Sequence, residues 1–249
     1  MRIIAITNQK GGTGKTTSTI NIGAGLTRLG NRVLLIDLDP QANLSFSLGL
    51  GDPASLPNIY EVLKGRISLA EAVIEVNSMG LVPASPELVK MESEMASNKD
   101  KAALLQKALN GPLDWDYILL DCPPSYGLIT LNALTAAQEL YVPVQAEFLA
   151  LQGMSKLLET IETVQREYNP LLRFSGIIAT RYDQRRVLNR EVIESLSEHF
   201  DDKLFTTLIH ENIALAEAPS FGQDIFSYRP DSNGARDYMS LCLEIMERR

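Results

Sequence analysis

The chain is poor in the residue types that build disulfide frameworks, metal centres and histidine-based catalysis. It carries two Cys, two His and one Trp in 249 residues. Cys122 and Cys242 stand far apart and match no metal-ligand spacing. Cys122 lies in an apolar run and reads as a small buried hydrophobe, which makes a reducing, cytoplasmic setting the default. Neither His199 nor His210 sits beside a Ser or Cys nucleophile pattern, and both read as surface or satisfied residues. No apolar run approaches the ~20 residues that span a bilayer. The end of the chain, residues 244–249, is too brief for a basic amphipathic membrane helix. Met1 and Arg2 lead directly into Ile3-Ile4-Ala5-Ile6, too short a lead for a signal peptide. Net positive charge is also lacking: Lys and Arg number 23 against 31 acids, for a net charge of -8. Such a chain is not drawn to nucleic acid as a whole, and any DNA contact needs a local basic patch.

What is present is an ordinary globular composition, 45% hydrophobic and 22% charged, with enough apolar residues for a substantial core. Short β-branched runs alternate with segments of helical period, the pattern of an α/β fold with a mostly parallel twisted sheet and helices on both faces. Strands are expected at residues 3–7, 32–37, 79–84, 117–121, 140–144, 174–180 and 204–208. Helices are expected at 16–29, 58–64, 68–76, 86–109, 127–138, 151–168, 187–200 and 234–246. Residues 48–57 read as a loop. Internal repeats, low-complexity tracts and linkers are absent, so residues 1–249 are expected to form one domain.

The most informative segment is Gly11-Gly12-Thr13-Gly14-Lys15-Thr16-Thr17, which follows the first strand and opens the first helix. That is the context of a phosphate-binding loop. Glycines let the backbone wrap so that several N–H groups converge on phosphate oxygens, and the helix dipole adds positive potential. Lys15 suits the β- and γ-phosphates, the Thr16 hydroxyl suits Mg²⁺, and Thr17 is placed to reach the α-phosphate. Two apolar strands end in acids: Leu34-Leu35-Ile36-Asp37-Leu38-Asp39-Pro40-Gln41 and Tyr117-Ile118-Leu119-Leu120-Asp121. Open α/β sheets bind ligands at such carboxyl ends. The second has the form of a Walker B strand, whose Asp121 would meet Mg²⁺. Gln41 and Asn43 follow on a loop suited to sensing a γ-phosphate.

Lys10, immediately before the glycines, is unusual. Alone it would be a solvated side chain; in Lys10-Gly11-Gly12-Thr13-Gly14-Lys15-Thr16-Thr17 it resembles the deviant Walker A motif of the ParA/MinD family of P-loop ATPases. The resemblance extends over nearly the whole chain. Glu217-Ala218-Pro219-Ser220-Phe221-Gly222 and Tyr228-Arg229-Pro230 are similar to the C-terminal part of the ParA/Soj partition branch. The MinD branch fits less well because the membrane-targeting tail is lacking. A nitrogenase-iron-protein-like role is disfavoured by the context of the two cysteines.

The resemblance implies an ATP hydrolase, slow and partner-stimulated, that uses ATP and Mg²⁺ and works as a homodimer. It implies that Lys10 reaches across the dimer to the partner's nucleotide, that Asp39 positions the attacking water and that Asp37 belongs to the magnesium environment. Pro219 and the segment around Tyr182-Asp183 are adenine candidates on the resemblance alone. It also implies a ParB-like activator protein, no membrane, and nonspecific binding to nucleoid DNA through basic residues of the C-terminal half. Here those would be Arg181, Arg185, Arg186 and Arg190, with Arg173 and Lys203 as weaker additions. One departure stands out: Glu211-Asn212-Ile213-Ala214-Leu215-Ala216 holds no arginine where family members often carry them. The expected function is chromosome or plasmid partition. The alternatives are a related ATPase that positions another cargo, and a nucleotide-gated scaffold with negligible turnover.

Overall fold

The computed structural model describes residues 1–147, 150–200 and 202–248. Its strands are β1 (Arg2–Ile6), β2 (Val33–Asp37), β3 (Ile74–Val76), β4 (Met79–Val82), β5 (Tyr117–Asp121), β6 (Glu139–Gln145) and β7 (Arg173–Thr180). They form one sheet in the order β3-β4-β2-β5-β1-β6-β7. Every neighbouring pair is parallel except the β3–β4 hairpin. The helices are α1 (Lys15–Arg28), α2 (Asn43–Ser47), α3 (Ile59–Leu63), α4 (Leu69–Ala72), α5 (Met91–Glu94), α6 (Leu104–Leu109), α7 (Leu128–Ala136), α8 (Ala150–Glu167), α9 (Val187–Phe200), α10 (Ile213–Glu217), α11 (Ile225–Tyr228) and α12 (Asn233–Glu247). None of the described helices is long and apolar enough to cross a membrane.

The central strands are apolar on both faces because helices cover both. Ile3, Ala5, Leu34, Ile36, Ile118 and Leu120 point into one core, which also holds residues of α6, α7 and α8. Their neighbours Ile4, Ile6, Val33, Leu35, Tyr117 and Leu119 point into the other, which holds residues of α1, α11 and α12. This alternation follows from the two-residue period of a strand.

Three expectations need correction. Residues 68–76 are not one helix: only Leu69–Ala72 is helical, closed by a Ser68–Glu71 capping box. The chain then turns through Asn77 and Ser78, both at positive φ, and returns as an antiparallel strand. β-branched Val73, Ile74 and Val76 favour that outcome. Residues 86–109 are not one long helix either. They form 3-10 turns at Pro86–Lys90 and Lys101–Ala103, with α5 and α6 as short pieces. The break comes at Asn98, whose side chain accepts the Asp100 N–H and so competes with helical bonding. Residues 204–208 make only a single bridge, Leu204 to Ile177. The N–H groups of Thr206 and Thr207 donate instead to the Glu244 carboxylate, at 2.8 and 3.0 Å.

Close packing of α1 depends on two glycines. A Cβ on Gly23 would stand 2.7 Å from Leu35 Cδ2, and one on Gly25 would stand 2.5 Å from Cys242 Sγ in α12. Gly25→Val is therefore expected to destabilise the fold by about 2 kcal/mol or more through overpacking. Gly111→Ala, with no atom near the new methyl, should stay within about 0.5 kcal/mol. Urea unfolding midpoints of the two variants against the wild type check the contrast.

Candidate nucleotide site

The ends of β1, β2 and β5 lie side by side, because Ile6 and Asp37 both pair in register with Asp121. The glycine loop spans the gap between β1 and α1. Gly12 and Gly14 adopt positive φ, 74° and 89°, a conformation that costs a residue with a Cβ. Gly14 is the N-cap of α1, with no side-chain cap and no acid in the first turn. The first N–H groups of this 14-residue helix are thus left free of side-chain acceptors at its positive end.

Two residues that sequence reasoning missed hold the loop in shape. Gln145 Nε2 donates to the Gly12 carbonyl at 2.6 Å, and Thr180 Oγ1 donates to the Thr13 carbonyl at 2.9 Å. They sit opposite one another at the carboxyl ends of β6 and β7. Their position at the ends of two expected strands was the available signal. Asn8 adds a third tie, donating to the Pro143 carbonyl while accepting from the Lys10 N–H.

Lys15 is buried, and its ammonium has one hydrogen-bond acceptor among the described residues, the Lys10 carbonyl at 3.3 Å. Burial lowers its pKa, against the opposing pull of Asp121 and Asp39. A desolvated cation with no carboxylate in contact is suited to receive an external anion. Thr16 Oγ1 donates to Asp121 Oδ2 at 2.8 Å, and Thr19 Oγ1 to Asp121 Oδ1 at 3.2 Å. The Thr16 proton is thereby turned toward Asp121, and the oxygen lone pairs are left available for a cation. No cluster of three or more His, Cys, Asp or Glu ligands exists among the described residues. The Thr16 hydroxyl and the Asp121 carboxylate are the kind of oxygen donors that Mg²⁺ takes alongside phosphate and water.

Asp37 has a different place from Asp121. Its Oδ1 accepts the Asp39 N–H at 3.2 Å, while Oδ2 accepts the Ser45 N–H at 2.9 Å and the Ser45 hydroxyl at 2.7 Å. Ser45 in turn accepts the Ala84 N–H at 3.3 Å. Asp37 therefore fixes the turn that presents Asp39 and the start of α2. Ser45 is a further residue the motifs did not reveal. Asp39 is buried at 8% exposure and accepts the Gln41 N–H at 2.9 Å. Ala42, at φ 54°, leads into α2, which begins at Asn43.

Desolvation raises the pKa of both Asp37 and Asp121, and their proximity adds to the rise at Asp121. A carboxyl whose folded pKa is raised contributes stability below its unfolded value, and that contribution is lost as pH rises through the folded value. The nucleotide-free protein should thus lose stability as pH climbs above the ordinary carboxylate range. Asp121→Asn should flatten that loss, as read from thermal unfolding between about pH 5 and about pH 8.5.

Lys10 points outward. Its ammonium pairs with Glu147 Oε2 at 2.7 Å, with both side chains substantially exposed. Beside the loop, a pocket of about 430 Å³ is lined by Gly12, Gly14, Thr17, Arg181, His210 and Asn212, among others. It is the space adjacent to the loop that can take a base and sugar. Pro219 does not line it, lying instead on the 3-10 turn Ala218–Phe221. Tyr182 and Asp183 do not line it either; Tyr182 packs edge-on against His210. His210 is satisfied by Asp237 at 3.0 Å. Cys122 and Cys242 are buried, and burial pushes both thiols up.

The arginines of the expected DNA patch come together on one surface but are largely ion-paired. Arg185 pairs with Asp183 at 2.9 Å, while Arg181 and Arg186 pair with Glu211 at 3.2 and 3.0 Å. Arg190 is exposed and has no carboxylate partner among the described residues. Arg173 and Lys203 lie apart, lining a different cavity with Glu139 and Arg248.

Comparison with known proteins agrees with this geometry. A family model described as an AAA domain matches residues 1–174. The chain is 46% identical over 248 residues to the chromosome-partitioning ATPase Soj of Thermus thermophilus, covering 100% of this chain and 96% of that protein. It is 40% identical over 255 residues to the chromosome partitioning protein ParA of Caulobacter vibrioides, covering 100% and 95%. Among solved structures, it resembles one described as cobyrinic acid a,c-diamide synthase from Mycobacterium smegmatis with a bound ATP analogue and magnesium. That match has a TM-score of 0.87 and 37% identity, covering 99% of this chain and 94% of the other. With full-length likeness to partition ATPases and a lysine-led glycine loop closed over two acid-ended strands, the chain belongs to the ParA/Soj family of P-loop partition ATPases.

Proposed function

We propose that this protein is one ATPase domain that binds ATP and Mg²⁺, closes a homodimer around them, and in that state binds double-stranded DNA without sequence preference. A ParB-like partner then stimulates a slow hydrolysis that releases the dimer, so that chromosome or plasmid DNA is segregated in the cytoplasm, on the nucleoid. The observation that carries the reading is the contrast between the two lysines. Lys15 is buried and turned inward, while Lys10 is exposed and held outward by Glu147.

In this reading the loop N–H groups and Lys15 bind the β- and γ-phosphates. Thr16 and Asp121 would hold the magnesium, which would supply positive charge to the phosphate site. Thr17 reaches the α-phosphate, and the pocket lined by His210 and Asn212 takes the adenosine. Asp39 orients the water that attacks the γ-phosphorus, and Asp37 and Ser45 keep Asp39 in place. Lys10 leaves Glu147 for the partner's nucleotide. That exposed ion pair is worth at most about 1 kcal/mol, so breaking it is cheap.

Lys10→Ala should bind ATP yet remain monomeric in sizing or light scattering, where the wild type with ATP and magnesium is dimeric. An ATP-dependent dimer of normal stability in this variant would sink the trans-lysine role. A second reading, an ATPase that positions a cargo other than DNA, is favoured by one observation: the arginine patch carries its own acids. Absence of DNA binding at low salt with ATP would select it. A scaffold with negligible turnover would show the same hydrolysis rate with and without Asp39.

A further inference from the structure

Glu211 occupies an unusual position among the arginines. Its Oε1 accepts from Arg181 at 3.2 Å and its Oε2 from Arg186 at 3.0 Å, so each oxygen holds a different guanidinium. The contact is built into the backbone. Tyr182 and His210 form a parallel bridge, and the Glu211 N–H donates to the Tyr182 carbonyl at 3.0 Å. Arg181 adopts φ 52°, a left-handed conformation that is unfavourable for a residue with a Cβ. Asp183 serves mainly its own loop: it accepts the Arg185 N–H, pairs with the same residue's guanidinium, and reaches Arg186 Nε with Oδ2 at the longer distance of 3.5 Å. Glu211 reaches the cluster from a distant part of the sequence. Arg181, Arg186 and Glu211 are each substantially exposed, at 58%, 58% and 40% of their side chains. They are therefore open to a phosphate strand approaching from solvent.

We propose that Glu211 is a built-in competitor for DNA phosphate, holding Arg181 and Arg186 together so that the duplex must displace a carboxylate to engage them. The proposal rests on the DNA-binding reading above and adds what sets the strength of that binding. Each arginine held by Glu211 is one whose charge is already compensated, so a phosphate that takes it releases fewer counterions. The result is a partition surface with low duplex affinity and a shallow salt dependence. Ion pairs this exposed add little to folding, so the carboxylate can be removed without threatening the fold. Both Glu211 and Arg181 also line the pocket beside the glycine loop, so nucleotide occupancy and the arginine clamp share one wall.

The test uses the full chain with magnesium and ATP, saturation being verified for each variant. Binding to a fluorescent duplex of arbitrary sequence is followed by anisotropy across a salt series. Glu211→Gln should bind about tenfold or more tightly at low salt, with a log K against log salt slope steeper by about one to two ions per protomer. Glu211→Ala should repeat the gain, and Arg186→Gln in the Glu211→Gln background should reverse it. If the wild type binds DNA with ATP but neither Glu211 variant changes affinity or slope, the competitor role falls while the DNA reading stands. If no variant binds DNA at the lowest salt, both fall.

Discussion

Lys15→Ala removes ATP binding, raising the nucleotide dissociation constant at least about 100-fold. The side chain is buried against the glycine loop and contacts no carboxylate, so its ammonium lacks a direct anionic partner until phosphate arrives. Truncating one partner of a buried charge pair costs about 3–5 kcal/mol, and each 1.4 kcal/mol is tenfold in affinity. The loop itself should survive, because its carbonyls are tied by Gln145 and Thr180 rather than by Lys15. The expected signature is a melting temperature that no longer rises on adding ATP and magnesium, with the nucleotide-free value close to wild type. An ATP-induced rise of wild-type size would remove Lys15 from the phosphate site.

Asp39→Ala has the second large effect, and it falls on the chemical step. Asp39 stands at 8% exposure just beyond the end of β2, braced by Asp37 below and bonded to the Gln41 N–H ahead. A carboxylate that orients the attacking water contributes about 100- to 10,000-fold to rate, while it contributes little to holding phosphates. Single-turnover hydrolysis should therefore drop by at least about 100-fold with ATP affinity within a few fold of wild type, and the ATP dimer should accumulate. Asp39→Asn keeps an acceptor for Gln41 and should be as slow, which separates lost chemistry from a collapsed turn. Turnover of either variant within about twofold of wild type would leave water positioning to another group and favour the scaffold reading.

Much of the site was legible because phosphate binding is a local problem. Residues 11–17 carry the glycines, the lysine and the hydroxyls in one stretch, and a strand before and a helix after suffice to place them. Asp37, Asp39 and Asp121 were legible for a related reason: each ends or follows an apolar strand. The expected helix over residues 187–200 coincides with α9, an amphipathic segment whose period is uninterrupted. The segments 68–76 and 86–109 depart from the expected helices because their helical period is real but short. A hairpin turn at Asn77-Ser78 and an Asx bond at Asn98 outweighed it. The strand expected at 204–208 failed because Glu244, remote in sequence, supplied the acceptors its N–H groups needed.

The glycine loop, its two lysines and the acids at the strand ends were determined by sequence alone, since spacing within a few residues dictates what can meet a phosphate. Only the tertiary structure decided how those residues are held and which charges remain free. Gln145 and Thr180 lock the loop from strands more than a hundred residues away. Glu147 holds Lys10 outward, Ser45 engages the Asp37 carboxylate, and Glu211 closes on Arg181 and Arg186. The physical reason is that hydrogen bonds and ion pairs depend on separation in space, and parallel crossovers bring together residues whose separation along the chain carries no such information.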